Sequence, residues 1–341
     1  MSERDEIAAA QIFPFFLYSR ELAIRYHIEI RELPLKAFLE GHNPYRLPVD
    51  VVCLQTWFDL KRIELERLIT CIKSTWPNAG VAYFDWFAPT DLRYAETLDP
   101  HILAYVKKQI LKDFQGYGTA TLGDTNLTDF YGKRFHIDMP TIKFTIPSGF
   151  MQKLVLGPNF EYSPLIIRNM LVTKKPSERR IDLHARITTD PAKSVVWYTK
   201  MRDEALSKAV ALHGRFNVCY GGHVSRRQFY KELSESKLCF SPFGYGEICW
   251  RDFEAMSRGS LLFKPDVSHL LLANDYFKPY ETYIPLTWDL ADLPDKVQYY
   301  VHNPSKTRTI VQNAFDVLSQ LYSQKKFLMD IAPLWTMVGI G

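Results

Sequence analysis

The chain has 341 residues, 47% of them hydrophobic and 23% charged, which excludes a disordered protein and provides enough apolar side chains for two domains. Its formal net charge of +4 comes from dispersed basic residues, so the sequence predicts no nucleic-acid partner and only a modest attraction for anionic ligands. The five cysteines lie far apart in apolar stretches, a pattern that favours buried thiols in a reducing compartment over disulfide bonds or a zinc site.

The N-terminal segment carries acidic residues early and an apolar run that Pro14 and Arg20 interrupt. A signal peptide would begin with basic residues and continue with an unbroken apolar centre. Later stretches do not stay apolar over the length that a transmembrane helix needs. We therefore expect a cytoplasmic protein without a transmembrane segment.

The first half of the chain alternates between strand-like and helix-like segments. Short β-rich apolar runs predict strands over residues 49–55 and 80–87, and amphipathic spacing predicts helices over 63–76 and 101–114. Such alternation predicts a parallel sheet. Prolines, glycines and the loss of any period predict a linker or domain crossing over residues 145–170.

The second half of the chain shows the same alternation, and Ser225 is predicted to cap a helix. The predicted elements are strands over 180–187, 215–220, 261–264 and 283–288, helices over 194–212 and 225–234, a strand–loop–helix–strand unit over 238–266, and helices from residue 294 onward.

The alternation of strands and helices in both halves predicts two doubly wound α/β domains. We place an acceptor-binding domain at residues 1–165 and a nucleotide-binding domain at 166–320, with residues 321–341 forming a terminal helix that packs back on the first domain. Ligands of open α/β sheets bind beyond the carboxyl ends of the strands. Two such sheets that face each other therefore predict a site in the cleft between them.

The segment over residues 238–266 carries the strongest functional signal. A glycine-rich loop follows a strand and precedes a helix, which is where α/β proteins bind phosphorylated ligands. At about 100° per residue, Glu247, Arg251, Glu254 and Arg258 fall on one stripe of that helix. Taken alone, the stripe also fits an exposed ladder of ion pairs.

The sequence SPFGYGEICWRDFEAMSRGSLLFKPDVSHL, with YFKPYETY and PLTWD after it, resembles the donor domain of glycosyltransferases with the GT-B architecture. It is most similar to the group 1-like and exostosin-like enzymes of bacterial polysaccharide clusters and large viruses, over roughly residues 180–289. The resemblance implies two Rossmann-like domains that face a cleft. It also implies sugar transfer from a nucleotide-sugar during glycan biosynthesis, with no cofactor and no metal ion required.

The resemblance places the diphosphate of the donor against the loop before the last donor-domain helix. That loop contributes Ser241, Phe243, Gly244, Tyr245 and Gly246. Glu254 corresponds to the ribose-binding glutamate of the family, and Arg251, one turn earlier, is placed to neutralise the pyrophosphate. Six residues separate Glu247 from Glu254, where the retaining group 1 enzymes have seven, so this departure from the family pattern favours inversion.

Further donor-binding candidates follow two other strands. Arg186 ends the first donor-domain strand and would face the cleft, or it is an ordinary arginine at a strand edge. Gly222 and His223 follow the next strand, where two adjacent glycines permit close approach of a base or ribose, or simply form a turn.

An inverting transfer needs a general base beside the acceptor hydroxyl. Asp85, between aromatic residues at a strand end, and Asp91 are the candidates in the first domain, because partial desolvation suits a carboxylate to this role. A loop hydrogen bond for Asp85 and a helix cap for Asp91 are the structural alternatives. His184, His223 and His269 are also candidates, although a solitary histidine is more often a structural hydrogen-bonding residue.

The sequence thus predicts a GT-B glycosyltransferase, hexosyl- or pentosyl-transferring, that moves a sugar from a UDP-sugar to a glycan hydroxyl with inversion. A GDP-sugar is the alternative donor. A retaining transferase that uses Glu247, and a nucleotide- or sugar-binding module of the same fold without turnover, are the alternative functions.

Overall fold

The computed structural model describes residues 6–41, 48–58, 60–171, 179–189 and 195–340, which form two α/β units. The strands are β1 (Val51–Leu54), β2 (Gly80–Asp85), β3 (Ala104–Lys107), β4 (Gln109–Leu111), β5 (Thr121–Leu122), β6 (Thr141–Ile142), β7 (Leu154–Leu156), β8 (Ile181–Arg186), β9 (Val218–Gly221), β10 (Ser236–Phe240), β11 (Leu261–Pro265), β12 (Leu270–Leu272) and β13 (Ile284–Leu286). The helices are α1 (Glu6–Leu17), α2 (Ser19–Tyr26), α3 (Leu35–Leu39), α4 (Arg62–Thr75), α5 (Ala95–Leu98), α6 (Asn126–Arg134), α7 (Pro164–Leu171), α8 (Val196–Val210), α9 (Arg226–Ser234), α10 (Trp250–Arg258), α11 (Leu293–His302), α12 (Pro304–Ser323), α13 (Phe327–Asp330) and α14 (Ala332–Met337).

The first sheet consists of parallel strands in the order β1-β2-β3-β7. The strands and the helix predicted at its start are confirmed as β1, β2 and α4. Leu65, Leu68, Ile69 and Ile72 repeat at helical spacing along α4 and are buried in the core of this unit. Burial of that stripe packs α4 against the sheet.

The helix predicted over residues 101–114 is wrong, because this stretch forms β3 and β4. Tyr105 and Val106 are fully buried in β3, between β2 and β7. Aromatic and β-branched side chains pack well in a sheet interior, and this packing overrides the local helical spacing. Lys107, which the helical reading would place on a polar face, is itself buried at the end of β3.

The crossing predicted over residues 145–170 contains more structure than the sequence indicated. β7 lies in this range and pairs with β3 as the fourth strand of the first sheet. The chain then enters the second unit through α7, which packs against α10. A strand as short as β7 shows no period of its own, so the sequence could not reveal it.

The second sheet is also parallel, with the order β13-β11-β10-β8-β9. Ser225 caps α9 as predicted, because its hydroxyl accepts a hydrogen bond from the Gln228 backbone N–H at 3.3 Å. The helix predicted over 194–212 is confirmed as α8, although residue 194 lies outside the described residues. The predicted fold class, two Rossmann-like α/β units, is thereby confirmed.

The two units contact each other along their facing edges. β4 of the first unit pairs antiparallel with β12 of the second, with Leu111 opposite Leu270. At the C-terminus, Leu334 and Trp335 of α14 pack with Phe84 of the first sheet. Among the described helices, none has both the length and the hydropathy to cross a membrane.

Candidate functional site

The strand order of the second sheet reverses between β8 and β10, and the carboxyl ends of strands at such a reversal are where open α/β sheets bind ligands. The loop over residues 241–249 leaves β10 there and leads into α10. Asp252 fixes this loop, because its carboxylate accepts hydrogen bonds from the Ser241 hydroxyl at 2.6 Å and the Cys249 backbone N–H at 2.8 Å. The Lys264 ammonium lies 2.9 Å from the same carboxylate. The predicted donor residue Ser241 thus belongs to a buried network that positions the start of α10.

Arg251 lies in the first turn of α10 and reaches the end of β8. Its Nη2 donates to the Arg186 carbonyl oxygen at 2.6 Å. Its Nε is buried and has no hydrogen-bond partner among the described residues. A buried N–H of a charged group without an acceptor is costly, so this half-buried guanidinium suits an anionic ligand.

The Arg186 side chain is already paired. Its guanidinium donates to both Glu232 oxygens, at 2.7 and 2.9 Å, and to the Tyr220 carbonyl at 2.7 Å. Burial alone would raise the pKa of Glu232, but the hydrogen bonds from Arg186 and Gln228 lower it to about 2. Arg186 therefore stays beside its carboxylate, partly exposed at the cleft edge.

His184, Cys219 and Glu232 offer ligand atoms within 4.8 Å of one another, and this is the metal-like cluster found among the described residues. Burial lowers the pKa of His184 to about 3 and raises that of Cys219 to about 11, so neither carries a charge at neutral pH. Arg186 already neutralises Glu232. A metal ion in this place would lie beside the guanidinium, so the cluster does not fit one.

Glu254 lies in the second turn of α10, and Gly222 and His223 directly follow β9. The Glu254 Oε1 accepts a hydrogen bond from the Tyr230 hydroxyl at 2.6 Å. Burial raises the pKa of Glu254, and the Tyr230 hydrogen bond opposes this rise. Gly222 and His223 are exposed, and a Cβ on Gly222 would meet no atom within 4 Å. This loop therefore leaves room for a ligand.

The two aromatic residues of the loop, Phe243 and Tyr245, differ in their burial. Phe243 is fully buried, with its ring centroid 5.1 Å from that of Trp288. Tyr245 is exposed and stacks on Tyr198, with centroids 4.1 Å apart and an interplanar angle of 3°. Phe243 thus supports the loop, whereas Tyr245 remains accessible at the surface.

Gly246 is the point at which the loop touches the first unit. A Cβ on Gly246 would lie 2.0 Å from the Ala88 carbonyl oxygen, so only glycine fits here. The Gln109 side chain donates to the same carbonyl at 2.7 Å. The Gly244 N–H donates to the Gly246 carbonyl at 3.0 Å and closes the turn. The glycines therefore shape the loop against the facing unit.

Glu247 precedes α10, so the predicted helical stripe is wrong at this residue. It is fully buried, and its Oε1 accepts a hydrogen bond from Asn126 Nδ2 at 2.7 Å. The same oxygen lies 3.3 Å from His269 Nε2, and the His269 side chain is 30% exposed. Asn126 is the first residue of α6 in the first unit. The hydrogen-bonded group of Asn126, Glu247 and His269 therefore connects the two units. A buried carboxylate beside a half-exposed imidazole can orient it for proton transfer.

Neither predicted base in the first unit presents a free carboxylate. Asp85 is 1% exposed, and its oxygens accept from Lys107 Nζ at 2.6 Å and from the Phe87 backbone N–H at 2.9 Å. Asp91 accepts two hydrogen bonds from the Arg93 guanidinium, both 2.7 Å long. The burial expected for Asp85 is present, but the role of base does not fit because no oxygen reaches the cleft.

Sequence reasoning missed the partners of these side chains. Tyr230, Glu232 and Asn126 lie 24, 46 and 121 residues from the groups they bind, so no local pattern connects them. The available signal was weak: Tyr230 and Glu232 belong to α9, which follows a parallel strand directly and therefore starts near the carboxyl edge of the sheet.

Residues 178–329 match the model of the family described as glycosyl transferase-like. A comparison with curated protein sequences found no match. Among solved structures, the chain is similar to HepE of Anabaena in complex with UDP, with 11% identity, 93% of this chain and 88% of that chain covered, and a TM-score of 0.47. A glycosyltransferase of Rickettsia africae is similar with 12% identity, 90% and 84% covered, and a TM-score of 0.47. The family match over residues 178–329 confirms the predicted class of enzyme, a glycosyltransferase.

Proposed function

We propose that this glycosyltransferase-like chain moves a sugar from a nucleotide-sugar to a glycan hydroxyl, with a UDP-sugar as the first donor to test and a GDP-sugar as the alternative. The place of Arg251 carries the proposal. Its guanidinium lies at the reversal of the strand order, where it bonds the end of β8 and keeps a buried Nε without a partner among the described residues. A nucleotide diphosphate would supply the missing acceptors.

In this proposal, the donor lies along the carboxyl edge of the second sheet. Arg251 and the positive end of α10 bind the diphosphate, while Arg186 on the neighbouring strand stays paired with Glu232. Glu254, held by Tyr230, accepts hydrogen bonds from the ribose. The exposed loop at Gly222 and His223, with Tyr245, is assigned to the base and ribose. No step requires a metal ion.

The acceptor is assigned to a cavity of the first unit whose walls include Asp91, Tyr117, Asp124 and Asn126. These side chains can bind sugar hydroxyls. Asn126 also contacts Glu247 and His269, so the cavity adjoins the imidazole. We assign the general base to His269, because Asp85 and Asp91 are held in ion pairs.

The position of Glu247 bears on the stereochemistry of the transfer. A retaining route through Glu247 would need its carboxylate beside the anomeric carbon. Glu247 is fully buried and bound to Asn126, which suits an orienting role. We therefore propose that the transfer inverts the configuration at the anomeric carbon.

The donor assignment predicts the behaviour of two variants. Arg251→Ala is expected to weaken UDP or GDP binding about 10- to 100-fold, because a charge-assisted contact is lost, and Glu254→Ala to weaken it about tenfold. Isothermal titration calorimetry measures both. Arg308→Ala, which removes an exposed arginine of α12, is the control and should bind like the parent. Parent-like affinity in Arg251→Ala would show that the assigned pocket is wrong.

The base assignment predicts a separate effect. His269→Gln is expected to lower kcat about 100-fold while the nucleotide Kd stays unchanged, because proton transfer is lost and donor binding is not. His302→Gln, at an exposed histidine of α11, serves as the control. A variant with the parent kcat would remove His269 from the mechanism.

A binding module without turnover is the second candidate, because both predicted carboxylate bases are engaged in ion pairs. Incubation with a panel of UDP- and GDP-sugars separates the two functions. A module would be stabilised thermally by a ligand yet release no nucleotide. A transferase would release UDP or GDP.

A further inference from the structure

Lys108 follows β3 at the edge of the first sheet that faces the second unit. Lys108 is 2% exposed, and the contact of its ammonium among the described residues is with the ring of Phe160. Its neighbour Lys107 is equally buried but has Asp85 at 2.6 Å. Buried lysines normally have an acceptor, because an ammonium loses its hydration on burial. Lys108 therefore differs from Lys107 in forming no ion pair with a described carboxylate.

The position of Lys108 points to the start of α10. Its Nζ lies 4.5 Å from the centroid of the Phe160 ring, whose face partly stabilises the charge. Phe160 stacks on Trp250, the first residue of α10, with centroids 4.7 Å apart. Phe160 thus connects the ammonium of the first unit to the first residue of α10 in the second.

Other cations near α10 also lack carboxylate partners among the described residues. Arg202 is 8% exposed and donates to the carbonyl oxygens of Thr188 and Phe243. Arg251 donates to a carbonyl and leaves its Nε without a partner. Lys108 has only an aromatic face. Together with the positive end of α10, these groups concentrate positive charge that an anion would balance.

We infer that Lys108 binds the phosphates of the nucleotide across the cleft from Arg251 and stabilises the leaving diphosphate. This inference rests on the proposed nucleotide-sugar site and adds a residue from the facing unit to it. An ammonium that meets the phosphates only when the donor is present would also couple the first unit to donor binding.

The uptake of a proton on nucleotide binding can be measured to test the role of Lys108. Burial, with the charge of Lys107, lowers the pKa of Lys108 to about 7, and Asp85, Cys249 and Glu161 act in the opposite direction. At pH 8 the free amine is therefore mostly neutral. A bound diphosphate favours the ammonium, so binding at pH 8 should take up a proton.

The test compares the parent with Lys108→Met, which keeps an apolar stem on Phe160, and with Lys112→Met, which removes an exposed lysine from the same segment. Calorimetric titrations use UDP, GDP, inorganic pyrophosphate, uridine and guanosine at pH 8, in two buffers of different ionisation enthalpy. We expect Lys108→Met to bind the diphosphates about 10- to 100-fold more weakly and the nucleosides as the parent does.

The proton count separates Lys108 from Glu161, whose pKa burial raises to about 7. Uptake due to Lys108 disappears in Lys108→Met, whereas uptake due to Glu161 remains. Equal diphosphate affinity in the parent and Lys108→Met, or an equal loss for nucleosides, overturns the inference and leaves the Arg251 site standing. A parent that binds neither UDP nor GDP overturns both the inference and the proposed function.

Discussion

Lys107→Met is expected to lower the midpoint of thermal unfolding by about 10 °C, because it leaves the Asp85 carboxylate buried without its cation. Both side chains of this pair are 1% exposed, and their charged atoms lie 2.6 Å apart. The Tyr105 hydroxyl donates to the same Asp85 oxygen at 2.6 Å. Removal of one partner from such a buried pair costs about 3–5 kcal/mol.

The double variant Asp85→Leu/Lys107→Met distinguishes this cause from general disruption of the sheet. Replacement of both charges by apolar side chains avoids an uncompensated charge, so the double variant should recover part of the loss. Lys133→Met is the matched control, because it removes an exposed ion pair with Asp129 on α6 and should shift the midpoint by about 2 °C or less. If the double variant is no more stable than Lys107→Met, the ion pair is not the reason for the loss.

The ion pair of Asp85 and Lys107 shows what the sequence alone could not predict. Aromatic neighbours correctly indicated that Asp85 is desolvated, but they could not supply its partner. That partner lies on β3, in the stretch whose spacing predicted a helix. A helix there would have placed Lys107 on a solvated face. One error in local structure thus hid both the ion pair and the unpaired Lys108 beside it.

The second unit was predicted more completely, for a physical reason. The helix α10 is strongly amphipathic, and the loop, Arg251 and Glu254 lie within one short segment whose geometry follows from local periodicity. The predicted place of Glu247 on the helical stripe is wrong only because α10 begins three residues after it. Contacts such as Glu247 with Asn126 depend on how the two units meet, which local spacing does not encode.

Gly246→Ala is expected to reduce both stability and turnover, because the new methyl group would overlap the backbone of the facing unit. The Cβ would lie 2.0 Å from the oxygen and 2.5 Å from the carbon of the Ala88 carbonyl, where carbon contacts normally need about 3.5 Å. This carbonyl cannot move freely, since Gln109 donates to it at 2.7 Å and itself accepts from Asn159 at 3.2 Å. The two units, or the loop, must therefore shift.

The size of the effect follows from what the loop carries. Overpacking of this kind costs about 1–3 kcal/mol, and displacement of reacting groups by about 1 Å can lower kcat about 100-fold. Thermal unfolding and nucleotide release measure the two losses separately. Gly222→Ala, at a glycine with open space around it, should leave stability unchanged. Parent-like stability and turnover in Gly246→Ala would mean that the units do not meet at Ala88 in solution, because a methyl group cannot be accommodated in the contact that the structure places there.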